Sequence, residues 1–572
     1  MMAKNSPADP IPNMEIGTII EVDGTHIIAE LDSNISELTR VYGGVIYQIG
    51  QFGSIIKVHF GPKSIYGYVG RLRMKAEYEL EKGVIPSRNT SARIIEVDLF
   101  GEGEWLFESA SWKLGFDRGI STFPLPQQRV YLTPRQELSS IYGEYDTSAI
   151  VIGEHVGSGG TPCYANMNDL LGKHTAVLGS TGSGKSGTVA ALLHAILERG
   201  EKAQYEKWHP QIIVLDPHNE YGVAFPSHVR LCTDENCLSL PYWLLNLQET
   251  IGLLIGKTEY VATSQSNIVK VALLLARQDS AELLGLTRAN ITVDSPVPYS
   301  LDRLKHHIEN STDMPPQASK QDSWLSILNK LEVLKTDTRL SFMMKNWDGI
   351  SDTLPSVLQQ FFGDGDPIRI VDLSGVPNEV AGAASSVIAR MLFSVKLWQT
   401  VEERMASPVL LVCEEAHRYV PNKGEAQYEA AQEAIKRLAK EGRKYGIGLM
   451  LVSQRPSEVE ATVLSQCNSW LVMRITNDSD RNQVQGILPD SLAGLTKVLS
   501  GLRRREAIFA GQAAILPSRI LITDLVKAGK ALPRSQDINF DDGWQNDPMT
   551  VEALASVGKR WRLQMREAPA QD

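Results

Sequence analysis

The run Gly179-Ser180-Thr181-Gly182-Ser183-Gly184-Lys185-Ser186 has the G-x-x-x-x-G-K-[ST] spacing of a phosphate-binding loop. It follows an apolar β run at 175–178 and precedes a helix predicted over 187–198, the strand–loop–helix setting in which this chemistry works. Gly182 and Gly184 let the backbone turn its N–H groups inward around phosphate oxygens, and the helix N-terminus adds partial positive charge. The spacing takes Lys185 to the β- and γ-phosphates of a nucleoside triphosphate and the Ser186 hydroxyl to Mg²⁺. The nucleotide cradle is expected to run from Gly179 through Gly187.

Hydrolysis also needs a carboxylate beside the metal and a base beside the water. The run Val409-Leu-Leu-Val-Cys413-Glu414-Glu415 ends a predicted buried strand in two acids. Glu414 occupies the metal-supporting position, and its extra methylene relative to Asp favours reaching Mg²⁺ through a water molecule. Glu415 is the candidate base that polarises the attacking water. A third strand end, Asp216-Pro-His218-Asn219-Glu220-Tyr221, offers Asp216 either to the Mg²⁺ shell or as a cap for the next turn. In a fourth, Ser453-Gln454-Arg455-Pro456, Gln454 is placed to sense the γ-phosphate or hold the water. Asp372, at the end of another strand, is expected to cap its own loop.

Between Glu415 and Gln454 lies an amphipathic helix with Ala431, Ala434, Ile435 and Leu438 along its apolar stripe. Lys436, Arg437, Lys440, Arg443 and Lys444 make its other face basic. Either this face is simply solvated, or Arg443 is an arginine finger for a neighbouring subunit's ATP while lysines meet DNA phosphates. Lys423 is a further candidate DNA contact. Arg503-Arg504-Arg505 forms a second basic cluster, expected to be a solvated turn.

The elements that must position these residues fall into distinct textures. Residues 1–14 are polar and Pro-rich and expected to be disordered. Residues 15–148 carry short, evenly spaced β runs, the pattern of a small barrel, with Pro124, Pro126, Pro134 and Ser139-Ser140 as its exit linker. From 149 to 239, and again from 361 to 531, short apolar runs alternate with helices, predicting the two parts of an α/β core with a parallel sheet. Residues 240–360 read as an inserted helical bundle, and 532–572 as a tail with a helix at 551–566.

Composition bounds the partners. Of 572 residues, 43% are hydrophobic and 22% charged, which excludes wholesale disorder. Lys plus Arg is 57 against Asp plus Glu 67, a net charge of −10, so a broad DNA-coating face is excluded. Nucleic acid would have to meet a local basic surface or the channel of an oligomer. Five cysteines, an odd number, fit a reducing cytosol rather than a disulfide scaffold. No run of ~18 uninterrupted apolar residues is present, so a cytoplasmic protein without a membrane anchor is expected.

The ordered series H-T-A-V-L-G-S-T-G-S-G-K-S (174–186), L-D-P-H-N-E-Y (215–221), V-C-E-E-A-H-R-Y (412–419), E-G-R-K-Y-G-I (441–447) and L-V-S-Q-R-P (451–456) resembles the HerA branch of the HerA/FtsK superfamily of hexameric DNA-translocating ATPases. The N-terminal β region is similar to that family's HAS barrel. The resemblance implies a RecA-like P-loop core, a homohexamer hydrolysing ATP with Mg²⁺ between subunits, and double-stranded DNA drawn through the central pore. It assigns Lys185 and Ser186 to phosphate and Mg²⁺, Glu415 to catalysis, Gln454 to γ-phosphate sensing and Arg443 to the finger in trans. Glu414 departs from the commoner Asp. Members of this branch work with a separate nuclease or a sirtuin-type NADase effector, in DNA end processing or anti-phage defence, and the barrel is the expected docking surface. Two other readings share the motifs: a nucleotide-binding ring scaffold that regulates an effector, and a secretion- or conjugation-type coupling ATPase.

Overall fold

The structure, a computed structural model, describes residues 8–35, 37–51, 53–85, 91–108, 111–143, 148–156, 160–233, 237–255, 262–310, 321–376, 378–422, 429–488, 498–534 and 538–563. Lys423 lies outside them.

Strands Glu15–Asp23, His26–Leu31, Ile55–Phe60, Lys63–Met74, Arg93–Glu108 and Arg129–Leu132 close into a six-stranded antiparallel barrel. Ser111–Arg118 extends it as a further strand on Arg93–Glu108. Ile16, Ile27, Ile56, Val58, Val97 and Val130 fill the interior with no exposed surface, and closure leaves no unpaired edge within the ring. Met14, expected in a disordered terminus, is buried in this core at the end of a short 3₁₀ turn.

The exit from the barrel is not an open linker. Ser139 and Ser140 lie on a helix, Arg135–Ile141, that buries Glu137, Leu138 and Ile141. Lys57 donates to Glu137 at 2.7 Å with both side chains buried, and the Tyr66 hydroxyl donates to the same carboxylate. Leu516 from the C-terminal half packs with Tyr66, Tyr68, Leu138 and Tyr142. Arg118 donates to the Ala514 carbonyl. Barrel and core thus share one apolar cluster.

The core is an eleven-stranded sheet. Its order is Thr161–Asn166, Ala149–His155, Ser518–Ile522, Glu506–Gly511, Ser469–Val472, Thr175–Leu178, Ile447–Ser453, Val409–Cys413, Gln211–Asp216, Ile368–Asp372, Val229–Cys232. From Ser469–Val472 onward every pairing is parallel; the strands before it are antiparallel. Thr175–Leu178, Val409–Cys413 and Ile447–Ser453 are buried at every position, as parallel strands covered on both faces must be. Alternation sorts their side chains. Ala176, Leu178, Ile213 and Leu411 face one apolar layer, while Val177, Ile212 and Leu410 face the other.

The helix Lys185–Lys202 covers the second face through Val189, Leu192, Leu193 and Ile196. The helical insertion covers the first, and Glu249 anchors it. That carboxylate closes the capping box of Leu247–Leu254, accepts from Ser386 at 2.9 Å and pairs with Arg390 at 2.7 Å. Residues 380–398 form the only segment among the described residues apolar and long enough to cross a membrane, but it packs beneath the sheet. At the chain's end, Val551–Leu563 is helical with no buried residue.

Candidate active site

The registers align the strand ends. Leu178 stands opposite Ser453, Leu215 opposite Cys413 and Asp216 opposite Asp372. Gly179, Gln454, Glu414 and Asp216 therefore emerge together at the carboxyl edge, where a doubly wound sheet forms its ligand crevice.

The phosphate loop is preorganised by local chemistry. Gly182 and Gly184 have φ of +74° and +101°, conformations that L side chains resist. A Cβ on Gly179 would lie 2.8 Å from both Met473 Cβ and Ser183 Oγ. The loop is pinned from outside, with Ser180 N–H donating to Arg474 O at 2.8 Å and Arg505 N–H to Ser183 O at 3.1 Å. Lys185 is buried and its ammonium lies 3.4 Å from Ser180 O. Burial lowers its pKa, while Glu414, Glu415 and Glu220 oppose the shift.

Glu414 is 3% exposed and accepts from the Tyr221 hydroxyl at 2.5 Å. Burial pushes its carboxyl well above the usual range, with Glu415 and Glu220 adding to the effect. Glu415 has φ +54° and is also raised by burial, against the opposing pull of Lys185 and Arg418. Its Oε2 is buried without a hydrogen bond and lies 3.3 Å from His417 Nδ1. A non-glycine residue at positive φ costs about 1–2 kcal/mol. Among the described residues seven do so, and His174, Asn219, Glu415 and Arg505 all flank this crevice or its strands. Such strain concentrates where surrounding structure holds a functional geometry.

Gln454 accepts from the Thr181 hydroxyl at 2.6 Å, so its amide N–H₂ remains free to donate. Asp216 is fully buried, and its oxygens accept from the backbone N–H groups of His218, Glu220 and Tyr221 at 2.8–3.1 Å. Its geometry is that of the turn cap. It shapes the loop that delivers Tyr221 to Glu414 and brings Glu220 near Lys185. Asp372 caps its own loop through Ser374 N at 3.0 Å. A cleft of about 410 Å³, lined by Thr181, Gln454, Arg455, Ser457, Glu458, Asn477 and Asp480, opens beside the loop.

Arg443 is not with them. It sits in the turn Gly442–Tyr445 before the strand Ile447–Ser453, and that strand's length, about 20 Å, separates it from Gln454. It is exposed and without an ion pair among the described residues. The basic face beside it is partly neutralised. Lys436 pairs with Glu460 at 2.9 Å, and Arg437 lies 4.0 Å over the Phe393 ring. The Arg503–Arg505 turn is not simply solvated, because Arg505 touches the phosphate loop and pairs with Asp524 at 2.6 Å. The partners of the acids, Tyr221, His417 and Arg418, had no assigned role in the sequence, although all three lie inside its motifs.

Mg²⁺ fits the donor set. No cluster of three or more metal-ligating side chains occurs among the described residues, whereas Mg²⁺ on a nucleotide needs only one or two protein oxygens and keeps waters and phosphates for the rest. Ser186 and Glu414 would offer those oxygens, and the Glu415 oxygen buried without a hydrogen bond is close to Glu414.

Residues 150–392 match the family model described as "Helicase HerA, central domain". The chain is 27% identical over 457 residues to the DNA double-strand break repair helicase HerA of Pyrococcus furiosus, covering 73% of this chain and 77% of that one. It is 24% identical over 441 residues to the protein of the same name from Sulfurisphaera tokodaii, covering 76% and 80%. Among solved structures, VirB4 of Thermoanaerobacter pseudethanolicus superposes with a TM-score of 0.47 at 16% identity, covering 67% of this chain and 98% of that one. The phosphate loop, paired acids and core sheet make this chain an ATP-hydrolysing P-loop enzyme.

Proposed function

We propose that this HerA-like ATPase is one subunit of a homohexameric ring that moves along double-stranded DNA held in its central pore. The carrying observation is the separation of Arg443 from its own Lys185 and Glu415 by the length of a buried strand, with Arg443 exposed and without an ion pair among the described residues. An arginine carried that far from its own site is placed to complete a neighbour's, and such shared sites repeat around a closed ring.

In this reading the backbone of Gly179, Ser180, Thr181, Gly182, Ser183, Gly184 and Gly187, with Lys185, holds the triphosphate. Ser186 and Glu414 hold Mg²⁺, which when bound neutralises charge on the β- and γ-phosphates; Asp216 supports that shell from behind through its loop. Glu415 accepts the water's proton, and Gln454 donates its free amide hydrogens to the water or the γ-phosphate. Arg443 of the adjacent subunit meets the charge that develops on the transferred phosphoryl group. The names of the curated relatives support a DNA substrate. A separate nuclease or sirtuin-type NADase, docked on the barrel in the cytoplasm, fits a role in end processing or anti-phage defence.

The test is ATP turnover of the purified ring with and without linear duplex DNA. Stimulation of severalfold is expected. A rate indifferent to DNA, both alone and with the product of a neighbouring gene, would favour the ring scaffold instead.

A further inference from the structure

His174 directly precedes the strand that delivers the phosphate loop, is 3% exposed and has φ +58°. Its ring is wedged between three elements. Leu449 N–H, on the neighbouring strand Ile447–Ser453, donates to Nδ1 at 3.1 Å. That contact fixes the tautomer, because an accepting Nδ1 carries no proton and the hydrogen must reside on Nε2. Nε2 in turn lies 3.1 Å from the carbonyl of Ala439, in the last turn of the helix Glu429–Glu441, where carbonyls lack intrahelical partners. A Cβ on Gly442 would lie 3.7 Å from the ring's Cε1, so the imidazole also abuts the start of the turn that carries Arg443. The carbonyl of His174 accepts from Asn468 N–H at 3.2 Å, which fixes the residue from its other side.

We infer that His174 is a positioning residue: a neutral strut that locks the Arg443 turn to the phosphate-loop strand of its own subunit. The inference rests on Arg443 acting in trans. Each subunit's nucleotide site and the arginine it lends to its neighbour are then parts of one rigid piece. Binding that shifts the phosphate loop also shifts the finger.

The test compares His174→Ala, Arg443→Ala and the double variant as full-length rings, measuring kcat, KM for ATP, fluorescent-ATP affinity and assembly by mass photometry. His174→Ala should lower kcat about tenfold, with KM and affinity within twofold of wild type. In the Arg443→Ala background it should cost less than a further twofold. His174→Asn keeps an acceptor near the Nδ1 position but cannot reach Ala439, so it should show the same non-additive loss if the Ala variant does not assemble. Additive losses, or a raised KM at unchanged kcat, would overturn the strut and leave His174 as a shaper of its own loop. If Arg443→Ala itself turns over at the wild-type rate, the trans reading fails and the strut fails with it.

Discussion

At the scale of single residues, the phosphate loop and paired acids make sharp demands. Lys185→Ala removes an ammonium buried against the loop, and ATP turnover, followed by phosphate release, should fall at least about 100-fold. Glu415→Gln keeps the side-chain length but removes the base. It should still bind ATP while hydrolysis drops by about 10²–10⁴; loss of binding would instead make Glu415 a structural acid. These residues were legible in the sequence because a strand, a loop and a helix start lie within a dozen positions of one another. The contacts that tune them were not. Tyr221 reaches Glu414 across 193 residues, and Arg505 reaches Ser183 across more than 300, and no local pattern records either. Metal shell and cap are equally open to Asp216 in the sequence, because its three backbone donors depend on the fold of the following turn.

At the scale of elements, most parallel strands announced themselves as apolar runs because both faces are covered; the outer strand Val229–Cys232, half exposed, did not. The antiparallel strands of the same sheet did not. Ala149–His155 is exposed at Val151 and Glu154 and contains a register shift near Gly153, so its pattern is neither a continuous apolar run nor a clean alternation. Ser139-Ser140 read as linker because the helix they occupy is two turns long, too short for periodicity to register. The helical insertion was visible as helices, but its attachment was not, since apolar packing beneath the sheet and a buried acid, Glu249, paired 141 residues away supply it. Glu249→Ala would strand Arg390 against the core helix and should cost about 3–5 kcal/mol in denaturant unfolding. A change under 1 kcal/mol would show the insertion is held by apolar packing alone.

At the scale of the whole molecule, buried histidines weaken the fold in acid. His155 is 5% exposed, shares a hydrogen bond with Ser518 at 3.0 Å and stacks on Tyr142 at the barrel–core junction. Burial lowers its pKa to about 3. The unfolded chain protonates it near 6.5, so between those values the unfolded state holds more protons and stability falls as pH drops. By pH 5 this one group should cost about 2 kcal/mol. His59, lowered to about 4, acts with the same sign. Thermal unfolding from pH 7.5 to 5 should therefore steepen for wild type and flatten for His155→Gln; equal slopes would locate the sensitivity elsewhere. Net charge carries a second consequence. In the proposed ring, chains at −10 each would repel duplex DNA from the outer surface, so entry should favour free ends, and linear duplex should stimulate ATP turnover more than closed circles of equal mass. Finally, the helix Arg135–Ile141, whose Glu137 is held by Lys57 and Tyr66 of the barrel, fastens the barrel to the core beside Leu516. A cargo docked on the barrel as proposed would ride on a stiff arm, and each tilt of the core would swing it through an arc instead of being absorbed as slack.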